Sequence, residues 1–285
     1  MVEIVESAAD LRRKISDARA KGKKIGLVPT LGALHDGHLR LIRQCGGEAD
    51  FVVVSIFVNP TQFGAGEDFN RYPRPLEDDL RQCESAGADL VFVPSVPTVY
   101  PHGMNSTFVE VLGLSDVLEG ASRPGHFRGV ATVVLKLLEM VRPDLAVFGQ
   151  KDYQQQLLVG RMIADLHVPV QLSICPTVRE PDGLALSSRN RYLNPQERQA
   201  AVVLNRALER AQHAVDAGER RGDRIRQILH ETLKLESMAE VDYAEIADAE
   251  TLERLEYIGK STRAVALVAA RFGTTRLIDN TLLTT

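Results

Sequence analysis

Two histidines three residues apart, His35 and His38, lie in the run Pro29-Thr30-Leu31-Gly32-Ala33-Leu34-His35-Asp36-Gly37-His38. On the first turn of a helix, residues at that spacing project to one side. Imidazoles placed there donate hydrogen bonds to phosphate oxygens and stabilise charge that builds up during transfer at phosphorus. Gly32 and Gly37 let the backbone bend tightly and come close to such a ligand. A zinc pair, or two surface histidines at a helix cap, are the plainer readings of a bare HxGH. A zinc hydrolase would want HExxH or a nearby third ligand, and the sequence offers neither.

Other groups suit phosphate or a small polar substrate. Lys151, in Phe148-Gly149-Gln150-Lys151-Asp152, puts a cation at a helix start, against the macrodipole, which makes sense where an anion binds. Asp152 is its solvated partner or a cap. Ser187-Ser188-Arg189 offers two hydroxyls and a guanidinium to phosphate oxygens from a mobile loop; capping serines beside a surface arginine are the alternative. Asn59 and Gln62 either form a turn or fix the hydroxyl and carboxylate groups of a substrate. Of Gln154, Gln155 and Gln156, at most two can face a pocket. Glu77, Asp78 and Asp79 open a helix, where acidic residues are usually dipole partners rather than magnesium ligands. The loop from Arg123 to Phe127 has no role derivable from its residues.

The elements that carry these groups alternate. The apolar run 24–28 reads as a buried strand and 39–44 as an amphipathic helix, so HxGH sits on the turn beyond a strand's carboxyl end. Ligands bind there in open α/β sheets, and the helix start adds backbone N–H groups and a positive dipole end. Ser7 caps an earlier helix running to about 20. The β-branched and aromatic run 51–58 predicts a parallel strand buried on both faces. Pro75 opens a helix closed by Gly87, followed by a strand over 89–93. A loop-rich stretch comes next, with a strand expected over 107–111. A helix over 129–141, halted before Pro143, precedes strand 145–148, helix 153–166 and strand 168–175. The alternation predicts an α/β fold, a Rossmann-like doubly wound parallel sheet over 1–176. A turn-rich joint then leads to a smaller C-terminal α+β domain over 177–285. There Asn194 caps a helix with Pro195 at N1, Glu197 at N3 and a stripe of Leu204, Leu208, Ala211 and Val215. A second helix follows Gly218, and 238–247 and 264–271 alternate like antiparallel strands.

Composition narrows the class. The 285 residues are 44% hydrophobic and 25% charged, with a net charge of −4. That balance is ordinary for a globular protein and leaves no electrostatic footprint for nucleic acid. Cys45, Cys83 and Cys175 form no CxxC and read as reduced, mostly buried thiols of a cytoplasmic protein. No signal peptide is expected from the first residues, and the apolar runs are too short to span a bilayer.

Five motifs together, in order and with compatible spacing, resemble the pantothenate synthetase (pantoate–β-alanine ligase) family along nearly the whole chain. They are Pro29 to His38, Asn59-Pro60-Thr61-Gln62-Phe63, Arg123 to Val130, Phe148 to Gln155, and Leu186 to Asn190. HxGH alone points only to the wider nucleotidyltransferase superfamily that includes class I tRNA synthetases. Leu31 stands where the family commonly has Met, a swap of similar volume. The resemblance implies adenylation of pantoate by ATP, then attack of β-alanine's amine on the pantoyl adenylate. It implies catalytic roles for His38 (the family's proton donor), His35, Lys151 and Arg189. ATP would further meet Leu31, Gly32, Gly149, Asp152, Val178, Leu186, Ser187 and Ser188. Gln62 and Gln155 would grip pantoate, with Leu31, Phe63, Val130, Val133 and Val134 around its gem-dimethyl group. Gln62 and Tyr72 would adjoin β-alanine, and Asp78, Asp79 and Gln82 would lie near Mg2+, itself held chiefly by phosphate oxygens and water. A cytoplasmic homodimer is also implied. A different HxGH nucleotidyltransferase acting on a phosphorylated acceptor would want extra basic residues in the acceptor pocket, whereas Gln62 and Gln155 suit a hydroxy acid. A non-catalytic nucleotide sensor or RNA-binding module of HxGH type is the third reading, with the acidic balance against RNA.

Overall fold

A computed structural model describes residues 2–284. The chain divides into two compact units, Met1–Gly149 with Gln154–Pro176, and Gln150–Tyr153 with Thr177–Thr285.

In the first unit, β1 (Glu3–Val5), α1 (Ala8–Ala20), β2 (Ile25–Thr30), α2 (Asp36–Glu48), β3 (Phe51–Ile56), α3 (Leu76–Ala86) and β4 (Leu90–Phe92) come first. Short α4 (Val96–Val99) and α5 (Glu119–Ser122) precede α6 (His126–Val141), β5 (Leu145–Gly149), α7 (Tyr153–Asp165) and β6 (Gln171–Cys175). The strands form one sheet in the order β1-β4-β3-β2-β5-β6, with every pairing parallel. Strand order reverses between β2 and β5, so the crevice where such sheets take ligands opens at their carboxyl ends. Aspartates just before the strands set the register. Asp50, Asp89 and Asp144 accept from the backbone N–H of Lys24, Val52 and Ile25 at 3.0, 2.8 and 2.7 Å.

Helices cover both faces, which is why β2, β3 and β5 read as continuous apolar runs. Leu39, Ile42 and Cys45 of α2 and Cys83 and Ala86 of α3 bury against Val28, Val54, Val91 and Val147. On the other face α1 and α6 pack on each other and on β2. Ser7 caps α1, its side chain accepting from Asp10 N. Several elements of this unit differ from expectation. Residues 107–111 form no strand: Thr107, Phe108 and Glu110 are exposed, and Val109 N–H goes to Thr132 Oγ1 at 2.9 Å. Strand β6 starts at Gln171 rather than 168, and short β1 was not expected.

The second unit holds α8 (Pro195–Ala200), α9 (Val203–Asp216), α10 (Gly222–Lys234), β7 (Glu240–Asp248), β8 (Ala264–Phe272) and β9 (Thr275–Leu283). Asn194 and Glu197 form a reciprocal cap with Pro195 in the first turn. The expected single helix breaks at 201–202, next to the β-branched pair Val202-Val203, and restarts as α9. Leu204, Leu208, Ala211 and Val215 of α9 and Ile225, Leu229 and Leu233 of α10 bury on the antiparallel sheet β7-β8-β9. Strand β9 was not read from the sequence; it returns from β8 through Gly273-Thr274, with Phe272 opposite Thr275.

Candidate active site

The turn after β2 holds two successive residues in a constrained backbone conformation. Gly32 (φ +79°) and Ala33 (φ +52°) both lie in the left-handed region, which costs energy at Ala33. That conformation turns two successive N–H groups to one side, a concavity suited to an anion. The anion is Asp79, 1% exposed, whose Oδ2 accepts from Ala33 N at 2.9 Å and Oδ1 from Leu34 N at 2.8 Å. A Cβ on Gly32 would lie 2.9 Å from that Oδ2 and 3.0 Å from Ile56 Cγ2, so glycine is required twice over.

The imidazoles form the cap of α2. His35 is the N-cap residue; its Nδ1 accepts from Gly37 N at 3.2 Å, and His38 Nδ1 accepts from His35 N at 3.3 Å. This is the reciprocal geometry of a capping box built from two rings, with centroids 4.1 Å apart. With Nδ1 accepting, the neutral tautomer carries its hydrogen on Nε2. Capping and phosphate recognition are therefore compatible: the backbone fixes one nitrogen and leaves the other a donor.

The turn after β3 divides the two amide candidates. Asn59 is fully buried and structural: Oδ1 accepts from Tyr100 Oη (2.8 Å), while Nδ2 donates to Gly129 O (3.2 Å) and Gln62 Oε1 (3.1 Å). Gln62, 8% exposed, thus has its oxygen engaged by Asn59. Gly129 lets α6 touch this turn, since a Cβ there would sit 2.3 Å from Thr61 O. Val130, Val133 and Val134 follow on α6, all buried. Phe63 meets Phe69 and Tyr72 edge-on, with centroids 5.3 and 5.9 Å away. Leu31 is half-buried.

The loop without a derivable role proves to be the brace of this turn. Arg123 donates to both oxygens of Glu67 at 2.7 Å and reaches His126 Nε2 at 3.0 Å, while His126 Nδ1 donates to Gln62 O at 2.8 Å. Burial, aided by the Arg123 charge, lowers the His126 pKa to about 4, so the ring is neutral. Burial pushes the Glu67 carboxyl up, but the Arg123 hydrogen bonds and charge outweigh it and the pKa falls. Among the three glutamines, Gln154 is structural, donating to Leu114 O and Val117 O and accepting from Glu119 N. Gln155 stays half-buried at the start of α7, and Gly149 ends β5.

In the second unit, Lys151 has a 19% exposed side chain whose Nζ lies 4.0 Å from Asp152 Oδ1, a loose pair. Val178 and Leu186 face each other across a short hairpin, with Leu186 N donating to Val178 O at 3.0 Å. Ser187 then caps the 3-10 turn Ser188–Tyr192 and accepts from Arg189 N at 3.3 Å. The hairpin therefore gathers Val178, Leu186, Ser187, Ser188 and Arg189.

The metal candidates do not make a protein cage. Asp79 gives one oxygen each to Ala33 N and Leu34 N of the turn. Asp78 is exposed and pairs with Arg81, and Gln82 is half-buried. Among the described residues no three His, Cys, Asp or Glu side chains are grouped to hold a metal ion.

The pantoate-beta-alanine ligase family model matches residues 3–282. The chain belongs to the pantoate–β-alanine ligase family. A pantothenate synthetase of Roseiflexus castenholzii is 54% identical over 259 residues, covering 91% of this chain and 92% of that one. That of Moorella thermoacetica is 50% identical over 282 residues, 99% of each chain. The crystal structure of pantothenate synthetase from Thermus thermophilus matches with a TM-score of 0.93 at 45% identity, covering 100% of both chains. The Francisella tularensis pantoate-beta-alanine ligase, complexed with beta-gamma ATP and beta-alanine, matches with a TM-score of 0.80 at 34% identity, covering 100% of this chain and 99% of that one. Ligase-family membership thus spans both units, and the Rossmann-like parallel sheet with a smaller α+β unit is the fold of those relatives. Three contributors were not legible beforehand: the clamp of Asp79 on the HxGH turn, the Arg123–Glu67–His126 brace, and Asn280 beneath Lys151.

Proposed function

We propose that the enzyme condenses pantoate with β-alanine at the expense of ATP, through a pantoyl adenylate. The full-length match to the ligase family carries this reading. A pantoate carboxylate oxygen attacks the α-phosphorus and pyrophosphate leaves. The β-alanine nitrogen then attacks the acyl carbon, loses a proton, and AMP departs with the bridging oxygen. Activation is needed because an oxide leaving group resists displacement by an amine, whereas AMP departs readily. No covalent enzyme intermediate is required, so the protein's task is positioning and charge stabilisation.

His35 and His38 donate through Nε2 to phosphate oxygens at the positive end of α2, and His38 doubles as proton donor. Lys151, Ser187, Ser188 and Arg189 hold the triphosphate; Leu31, Gly32, Gly149, Asp152, Val178 and Leu186 line the nucleotide. Gln62 and Gln155 bind the polar groups of pantoate, and Leu31, Phe63, Val130, Val133 and Val134 its methyl groups. Gln62 and Tyr72 adjoin β-alanine, a molecule bound in the complex of the Francisella relative. Magnesium arrives as MgATP, held by phosphate oxygens and water.

Cys45, Cys83 and Cys175 are all buried thiols, and burial pushes the first two up to about 12. Thiols so protonated are unreactive, and three unpaired cysteines fit a reducing cytoplasmic setting. No helix among the described residues is long and apolar enough to cross a membrane. The family resemblance supports a homodimer, which sedimentation would test. The activity is tested by incubating the protein with MgATP and pantoate: pyrophosphate is released, and free AMP appears only when β-alanine is added. ADP and inorganic phosphate as products would overturn the reading.

A further inference from the structure

Residues Gln150–Tyr153 follow β5 in the chain but pack with the second unit, and two contacts hold them there. Tyr153 donates its phenolic hydrogen to Ala249 O at 2.7 Å. Asn280, on β9 and 2% exposed, donates from Nδ2 to Gln150 O at 3.1 Å and Lys151 O at 2.8 Å. Gln150 Nε2 lies 3.5 Å from Asn280 Oδ1. One carboxamide therefore satisfies two successive carbonyls, a task that needs two hydrogens on a single nitrogen.

The strand under Asn280 is itself anchored. Asp279, 3% exposed, accepts from both terminal nitrogens of Arg179 at 2.6 and 2.9 Å. Arg179 also donates to Gly183 O at 3.0 Å and bridges Ala185 across the hairpin that leads into Leu186-Ser187-Ser188-Arg189. Two adjacent buried residues of β9 thus hold the Lys151 turn and the serine–arginine loop to one strand. Side-chain polarity at two consecutive buried positions is costly unless it is fully used, and here it is.

We infer that Asn280 is a positioning residue for Lys151: it fixes the lysine's backbone so that the ammonium group meets the ATP phosphates, while the Asp279–Arg179 pair seats the serine–arginine loop on the same strand. The inference rests on the phosphate-binding role proposed for Lys151. Its effect is confined to adenylation, because the pantoate groups Gln62, Gln155 and the α6 valines lie on other elements.

The test is pantoate-dependent pyrophosphate release from MgATP by the full chain, with a double-mutant cycle. Asn280→Ala is expected to lower kcat by about 10- to 100-fold, the scale of a small misplacement of a catalytic group, with KM for pantoate unchanged. Asn280→Ser, keeping one donor, falls between. In a Lys151→Ala background, Asn280→Ala brings no further loss. If the alanine variant does not fold, Asn280→Ser takes its place in the cycle. A wild-type rate in folded Asn280→Ala, or in Asn280→Ser where it stands in, or losses that simply multiply in the double variant, would overturn the inference. A wild-type rate in Lys151→Ala alone would remove the Lys151 reading and this inference with it.

Discussion

Replacing Asp79 by Asn separates two physical roles for one carboxylate. The structure gives it two buried, charge-assisted hydrogen bonds, at 2.9 Å to Ala33 N and 2.8 Å to Leu34 N. Hydrogen bonds to charged groups contribute about 1.5–3 kcal/mol each. An asparagine keeps one acceptor but turns an NH2 group toward the other N–H, so at least one bond is lost and two donors are opposed. The expected cost is about 2–4 kcal/mol, read as a lower urea midpoint. Ala33 holds its left-handed conformation only while something accepts those N–H groups, so the turn relaxes and the imidazole pair moves with it. A shift of about 1 Å costs on the order of 100-fold in rate. The assay is pyrophosphate release at saturating ATP and pantoate, titrated with magnesium. The expected result is a large loss of kcat with an unchanged half-saturating magnesium concentration. Unchanged stability together with a raised magnesium requirement would refute the reasoning and make Asp79 a metal ligand.

Two further perturbations probe the same unit. His35→Ala and His38→Ala should each slow adenylation by roughly 10²–10³, the scale for losing one preorganised donor, while the protein still folds; near-normal pyrophosphate release in both would remove their assigned role. His126 is held neutral, its pKa lowered from 6.5 to about 4 by burial and Arg123, with Glu67 and Glu119 also facing it. The unfolded chain binds the extra proton between those values, so stability falls as pH drops from 6.5 toward 4, by up to about 3 kcal/mol. His126→Gln should flatten the urea midpoint across that window, and an equal slope in both proteins would contradict it.

Local patterns reported the elements well. Continuous apolar runs revealed the buried parallel strands, and Ser7 and Asn194 marked the helix starts they cap. HxGH was legible because a glycine turn and two imidazoles sit within ten residues. What escaped was long-range. Nothing near Asp79 says that its carboxylate will meet a turn 46 residues earlier. The Arg123–Glu67 pair likewise spans 56 residues. Asn280 lay on a strand missed altogether, because the two-residue turn Gly273-Thr274 was not read as a hairpin and Thr275–Leu283 breaks alternation at Leu277-Ile278 and Asp279-Asn280. The strand expected over 107–111 failed for the complementary reason. Its residues suit a strand, but the chain gives them a threonine hydroxyl rather than a sheet edge to pair with.

The central claim is that a carboxylate of pantoate becomes joined to the α-phosphate of ATP. Running the complete reaction with pantoate labelled in its carboxylate by heavy oxygen, and weighing the products by mass spectrometry, tests it most directly. One labelled oxygen should appear in each AMP and none in pyrophosphate. Label in inorganic phosphate or pyrophosphate, with AMP unlabelled, would contradict the account.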